Sequence, residues 1–166
     1  RSLHVCRGTA PHYLATAAGF RIMEQGGNAI DAAAAMSFCL NLLEPQSNGI
    51  GGEVPTLIYS AKEAKTVAVS GMGWSPKALT IDWCKDNGID LIPGDGYVPA
   101  CVPASVGTWT TAVARYGKLS FSEILEPAIR LAEDGFPMYE GLHNVLSTSL
   151  KKFTEIFYTK PLMAEI

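Results

Sequence analysis

The sequence predicts an α+β fold, and three observations support this prediction. Long segments with apolar residues at helical spacing make up most of the chain. Two short runs rich in β-branched and aromatic residues lie near its middle and predict a hairpin. A hydrophobic fraction of 48% in 166 residues is ample for a packed core. We therefore expect one globular unit, covering residues 1–166, that combines helices with a small sheet.

The first predicted helix runs from Pro11 to Gln25. Apolar residues recur along one stripe of this segment, and Gly26-Gly27 ends it. His12 lies in the first turn. Because a catalytic base needs a partner within hydrogen-bond reach, we interpret this lone histidine as an exposed polar residue.

A second helix is predicted to begin at Ala29. Asn28 is a good N-cap, and the carboxylate of Asp31 lies in the first turn, where the helix dipole favours it. The helix is apolar on nearly every side, so we expect it to be buried between layers. Glu44-Pro45 ends it, since the residue before a proline is biased out of the helical region.

A polar loop, residues 44–52, follows this helix and has the sequence EPQSNGIGG. Its three glycines permit positive φ or a close approach of the backbone to another group. The spacing matches neither the dinucleotide fingerprint nor a P-loop, and no basic residue follows, which disfavours a phosphate cradle. Two readings stay open: a structural turn between a helix and a sheet, and a site-forming loop at a sheet edge.

Two strand-like runs come next, residues 56–59 and 66–69, and predict an antiparallel hairpin. An irregular segment, residues 71–76, leaves the second strand. Thr80 is then predicted to cap a short helix that ends near Gly88.

Met72 and Trp74 lie on the irregular segment. Large apolar side chains on a loop are either core plugs or the wall of a pocket. The frequency with which such residues are buried favours the core.

The next part of the chain, residues 93–103, is rich in Gly, Pro and Asp and predicts an extended crossing or a lid. Residues 105–116 are predicted to form a helix closed by Gly117. Ser120 and Glu123 have the spacing of a capping box, which predicts the start of another helix.

Pro127 interrupts the helix that this capping box starts. We expect a break there, with Pro127 opening a new helix that runs through Asp134 and ends at Gly135. The tail, residues 139–157, is amphipathic and predicted to be helical.

Charge and cysteine content exclude several classes of protein. The net charge of -3, with 13 basic residues that do not cluster, argues against a nucleic-acid partner. No apolar run approaches the roughly 20 residues of a membrane-spanning helix.

The four cysteines have no metal-ligand spacing, so we predict free thiols and no metal site, with Cys39 a buried small hydrophobe. Free thiols favour a cytoplasmic location; a periplasmic or secreted one stays open.

Several segments together resemble the large-subunit N-terminal region of gamma-glutamyltranspeptidases. These motifs occur in collinear order along nearly the whole chain. They are GGNAIDAA (residues 26–33), NLLEPQSNGIGG (41–52), VPAS (102–105), YGKL (116–119) and LEPAIRLAEDGFP (125–137). Agreement among several spaced motifs is far more specific than one glycine loop.

The resemblance implies an N-terminal nucleophile hydrolase with an αββα four-layer sandwich, made as one precursor that cuts itself into a large and a small subunit. The nucleophile implied is a threonine at the start of the small subunit, whose own α-amino group serves as the base, with backbone amides stabilising the oxyanion. We therefore expect no catalytic residue in this chain and no cofactor. The expected partners are the small subunit and the rest of the large subunit.

One departure from the family pattern bears on the substrate. In transpeptidases an arginine after the second strand grips the α-carboxylate of the γ-glutamyl group, and the corresponding position here is Met72. Losing one partner of a buried charge pair costs about 2 to 5 kcal/mol, so glutathione is expected to be a poor substrate. Met72, Gly73 and Trp74 are predicted instead to form an apolar substrate-binding wall. Glu53 stands where the family continues with glycine, and either repels a substrate carboxylate or faces solvent.

The predicted function is that of an amide-bond hydrolase with changed acyl specificity, acting on a small-molecule amide. One alternative is a true γ-glutamyl transferase or glutathione hydrolase whose clamp arginine comes from elsewhere, for example Arg7. Another is a catalytically silent relative that keeps the fold as a binding protein.

Overall fold

The computed structural model describes residues 7–94, 96 and 98–159. Within these residues the chain forms six helices and two strands. In order they are α1 (Tyr13–Glu24), α2 (Ala29–Leu43), β1 (Thr56–Ser60), β2 (Lys65–Val69), α3 (Ile81–Asp86), α4 (Ser105–Tyr116), α5 (Phe121–Asp134) and α6 (Glu140–Thr159). The α+β prediction is confirmed.

Helix α2 lies at the centre of the core, as its composition predicts. Helices α1, α4 and α5 all pack against it. Gly19 of α1 allows a close approach, since a Cβ there would lie 2.6 Å from the Met36 side chain. Phe38 meets Phe121 of α5 edge to face, with ring centroids 5.6 Å apart. The fully buried side chains of α2 include Ala34, Ala35, Cys39 and Leu43.

The caps that start α2 and α5 are those predicted. Asn28 accepts the N–H groups of Ile30 and Asp31, and the Asp31 carboxylate accepts the N–H of Asn28 at 2.8 Å. Ser120 and Glu123 make the same reciprocal pair at the start of α5. Such side chains satisfy donors that a helix leaves unpaired at its N-terminus.

His12 differs from its prediction as an exposed residue. It is the N-cap of α1, and its Nδ1 accepts the N–H of Leu14 at 3.2 Å. Its ring stacks on Tyr13 and lies against Tyr139, with centroids 4.8 and 5.3 Å away. These contacts leave it 7% exposed, because an aromatic from the distant start of α6 covers it.

The predicted break at Pro127 is also wrong, since α5 runs without interruption through it. A proline inside a helix costs about 3 kcal/mol. Ile124 and Ala128, on either side of Pro127, are buried in the core that α5 forms with α2. Burying one large aliphatic side chain contributes about 1.5 to 3 kcal/mol. Phe121, Leu125 and Leu131 of α5 also pack against the core, so the packing of the whole helix offsets the local cost.

The predicted hairpin is confirmed. Strands β1 and β2 pair antiparallel, from Thr56 opposite Val69 to Ser60 opposite Lys65. The alternation of a strand sends Ile58 into the core, where it is 3% exposed, and sends its neighbours to the other face.

The remaining elements follow the prediction closely. Thr80 caps α3 by accepting the N–H of Trp83 at 3.1 Å. Helix α4 ends at Gly117, α5 ends at Gly135 with φ 75°, and the tail forms α6. The described part of the 93–103 segment is irregular. Among the described residues, no helix is both long and apolar enough to cross a membrane.

Candidate functional site

The glycine-rich loop, residues 44–52, lines an open groove of about 630 Å³. The last turns of α2 form one side, and the start of α4 closes another. Ser105, which is 2% exposed, donates its backbone N–H to the Gly52 carbonyl at 3.0 Å and holds α4 against the loop. The loop therefore has the position of a site-forming loop.

The groove is polar and carries one ionisable side chain. Asn41, Asn48 and Ser105 contribute amide and hydroxyl groups, and Glu53 is exposed. Glu53 is the only ionisable residue among the described residues that line the groove. A carboxylate without a basic neighbour does not suit a phosphate, which agrees with the prediction from the loop spacing.

The three glycines of the loop are not strained. None of them has a positive φ. A Cβ at Gly49 or Gly51 would meet no described atom within 4 Å, while one at Gly52 would lie 3.1 Å from the Gly49 carbonyl. The positive φ that the sequence permits is therefore not used here, and the loop backbone at Gly49 and Gly51 faces open space.

Met72 lies on a segment that joins the groove through backbone contacts. Gly71, with φ 56°, accepts the N–H of Val54 at 2.9 Å, and a Cβ at Gly71 would lie 2.0 Å from the Val54 carbonyl. A Cβ at Gly73 would lie 2.1 Å from the Val102 carbonyl. Both glycines are thus required for close backbone approach, and they fix Met72 between them.

Met72 is 50% exposed and Trp74 is 83% exposed, so the interpretation of these side chains as core plugs is wrong. Trp74 is held through its backbone, where its carbonyl accepts the N–H of Val102 at 2.9 Å. Met72, Gly73 and Trp74 do not line the groove themselves. They lie on the adjoining segment, linked to the groove by Val54.

Arg7, the alternative source of a carboxylate clamp, lies elsewhere. It lines a separate hollow on α1 together with Tyr13 and Phe20. The structure therefore does not bring this arginine into the groove beside the glycine loop.

Two further residues matter for the groove: Asn41 lines it, and Tyr139 contacts the loop that lines it. The Nδ2 of Asn41 is buried without a hydrogen-bond partner among the described residues. An amide near the end of a mostly apolar helix is the sequence feature that marks it. Tyr139 contacts the loop through Gln46, 93 residues away along the chain, and no local pattern signals that contact.

Of the four cysteines predicted to be free, Cys39, Cys84 and Cys101 are free thiols, and Cys39 is buried as predicted. Cys6 lies outside the described residues. Burial raises the pKa of the Cys39 thiol to about 11, which removes it as a nucleophile at neutral pH. The described residues contain no group of three or more side chains suited to hold a metal ion.

Comparisons with known proteins agree with the motif set. Residues 15–166 match the family model described as gamma-glutamyltranspeptidase. The glutathione hydrolase-like YwrD proenzyme of Bacillus subtilis is 44% identical over 131 residues, which are 78% of this chain and 24% of that protein. The chain thus spans about a quarter of the length of this curated relative.

Two solved structures resemble the fold closely. The crystal structure of Helicobacter pylori gamma-glutamyltranspeptidase gives a TM-score of 0.83 at 30% identity, over 93% of this chain and 45% of that one. The cephalosporin acylase from Bacillus halodurans gives a TM-score of 0.79 at 37% identity, over 85% of this chain and 26% of that one.

Proposed function

The chain belongs to the gamma-glutamyltranspeptidase family, and from this premise we propose that it forms part of an amide-bond hydrolase with changed acyl specificity. The nucleophile is the N-terminal threonine of a companion chain cut from the same precursor. Its α-amino group takes the proton from the hydroxyl, which is a weak nucleophile without such a base. The relative's name as a proenzyme supports processing of this kind.

Residues 1–166 are one part of the domain, and the complete domain is an αββα four-layer sandwich. The hairpin supports this proposal. Leu57 and Tyr59 are 77% and 68% exposed on the face of β1 opposite the buried Ile58. An isolated two-stranded sheet is only marginally stable in water. The rest of the precursor can therefore supply a second layer that covers this exposed apolar face.

The proposed change in specificity is supported by one observation: Met72, which the sequence resemblance aligns with the clamp arginine, is half exposed and lies between Gly71 and Gly73, two glycines in close backbone contact. Its thioether offers dispersion contacts and no charge. The exposed indole of Trp74 beside it extends an apolar surface. An acyl group without an α-carboxylate fits this wall better than a γ-glutamyl group.

Glu53 acts in the same direction. It is the sole ionisable group among the described residues that line the adjoining groove. Its carboxylate repels an anionic substrate and does not repel a neutral or cationic one.

The test uses the full-length, processed precursor with two anilides. We expect kcat/KM for butyryl-p-nitroanilide to exceed that for γ-glutamyl-p-nitroanilide. Met72→Arg restores the missing cation and should raise kcat/KM for the γ-glutamyl anilide by a factor of roughly thirty or more, equivalent to about 2 kcal/mol. Met72→Leu, which stays apolar, is the matched control. A low KM of the wild type for the γ-glutamyl anilide would contradict the proposal.

The name of the Bacillus subtilis relative favours a second candidate, a glutathione hydrolase. That activity needs a clamp from the rest of the precursor, because Arg7 lies in another hollow. Strong γ-glutamyl turnover by both the wild type and Met72→Leu would select it. Intact-mass measurement of the purified protein separates either enzyme from a silent binding relative, which would lack a companion chain that opens with threonine.

A further inference from the structure

Tyr139 joins three distant parts of the chain at one point. Its hydroxyl oxygen lies 3.0 Å from the carbonyl oxygen of Leu43, to which it donates, and 3.1 Å from Nε2 of Gln46, from which it accepts. Its ring lies against His12, the N-cap of α1, at a tilt of 55°. The start of α6 is thereby fixed to the starts of α1 and of the glycine-rich loop.

The two hydrogen bonds act where α2 turns into the loop. Leu43 is the last residue of α2, and the final carbonyls of a helix lack donors within the helix. The next carbonyl, that of Glu44, is bonded locally by the N–H groups of Ser47 and Asn48. Tyr139 therefore supplies the tertiary contact that sets where this turn sits.

The loop held in this way is the one that lines the groove. Gln46 and Asn48 are both lining residues, and Gly52 at the far end of the loop is tied to α4 through Ser105. The loop is thus anchored at its end by a helix and at its beginning by one phenol.

We propose that Tyr139 is a positioning residue, which holds the glycine-rich loop in the shape that admits the amide substrate to the groove. This inference rests on the proposed hydrolase function. It assigns no chemical step to Tyr139, which acts only through Gln46 and the Leu43 carbonyl. The prediction is a change in substrate binding more than in turnover.

Tyr139→Phe in the full-length precursor removes both hydrogen bonds and keeps the ring against His12. Each bond is worth about a factor of five in an equilibrium constant. We therefore expect KM for butyryl-p-nitroanilide to rise by roughly 5- to 25-fold, with a smaller change in kcat. Gln46→Met, which removes one bond at similar length, should give a smaller rise. The double variant should be no worse than Tyr139→Phe, because the two residues act as one unit.

Tyr13→Phe is the matched control. Tyr13 also stacks on His12, is 66% exposed and does not line the groove. It should leave KM unchanged. An equal rise of KM in Tyr13→Phe would show that the effect comes from the aromatic cluster and would overturn the proposal.

Hydrogen exchange of peptides covering residues 44–52 provides a readout independent of turnover. Faster exchange in Tyr139→Phe, and not in Tyr13→Phe, is expected. Unchanged exchange overturns the inference, and so does faster exchange without a change of KM. If the wild type turns over neither anilide, the proposed function and the role in substrate binding both fail, and exchange alone decides whether Tyr139 holds the loop.

Discussion

The carboxylate of Asp31 accepts the backbone N–H of Lys118 with both of its oxygens, at 3.1 and 3.0 Å, across 87 residues of sequence. Asp31 is fully buried, and the same carboxylate caps its own helix through Asn28. Asn28 in turn donates its Nδ2 to the Tyr116 carbonyl at 2.6 Å. One capping box therefore also fastens the start of α2 to the end of α4.

Asp31→Ala should destabilise the folded protein by about 3 kcal/mol or more. Hydrogen bonds to charged groups are worth about 1.5 to 3 kcal/mol, and the substitution leaves the N–H groups of Asn28 and Lys118 without their acceptor. Urea unfolding of the full-length precursor measures the change. Asp82→Ala is the control, because Asp82 also lies in the first turn of a helix but is exposed. Equal losses in both variants would show that the contact with Lys118 adds nothing.

Gly73→Ala should also be strongly destabilising and should reduce activity. Its new Cβ would lie 2.1 Å from the Val102 carbonyl, so the backbone must move apart on one side of Met72. We expect a loss of about 1 to 3 kcal/mol, typical of overpacking and strain. Gly94→Ala is the control, since a Cβ there meets no described atom within 4 Å. Thermal melts of both variants measure the loss of stability. A wild-type melting temperature for Gly73→Ala would contradict the observed contact.

Asn41→Leu should leave stability unchanged or raise it. The Nδ2 of Asn41 is buried without a partner among the described residues, and removing an unsatisfied polar group for an apolar one of similar size is neutral or favourable. Asn28→Leu removes an amide whose Nδ2 donates to the Tyr116 carbonyl and whose Oδ1 accepts the N–H of Ile30. This substitution should lower the unfolding free energy by about 2 kcal/mol or more. The comparison is made by urea unfolding, and a large loss in Asn41→Leu would reveal that the rest of the precursor pairs with this amide.

Cys39 should resist alkylation while Cys101 reacts. Burial raises the pKa of the Cys39 thiol from 9.0 to about 11, whereas Cys101 is exposed. Iodoacetamide treatment at pH 8 followed by peptide mass spectrometry should label Cys101 in the native protein and Cys39 only after denaturation. Labelling of native Cys39 at the rate of Cys101 would contradict its placement in the core.

The same pKa shift predicts a pH dependence of stability. The folded-state pKa of Cys39 lies above the value of 9.0 for a free thiol. Its contribution is therefore fully present below pH 9 and is lost as the pH rises through about 11. Cys39→Ala should flatten the fall in unfolding free energy over this window, although it lowers stability at neutral pH by leaving a small cavity.

Local features of this fold could be predicted from the sequence because they depend on neighbours along the chain. The cap at Asn28, the capping box at Ser120, the hairpin and the glycine that ends α5 each involve residues within a few positions of one another. The apolar composition of α2 likewise predicted its burial. The family, too, could be identified from its motifs.

The tertiary structure alone decided the features that join distant segments. Packing of Ile124 and Ala128 against the core carries α5 through Pro127, and Tyr139 covers His12. The contact of Asp31 with Lys118 and that of Tyr139 with Gln46 have the same origin. Their energies arise between residues that meet only when the helices pack, so no local pattern encodes them.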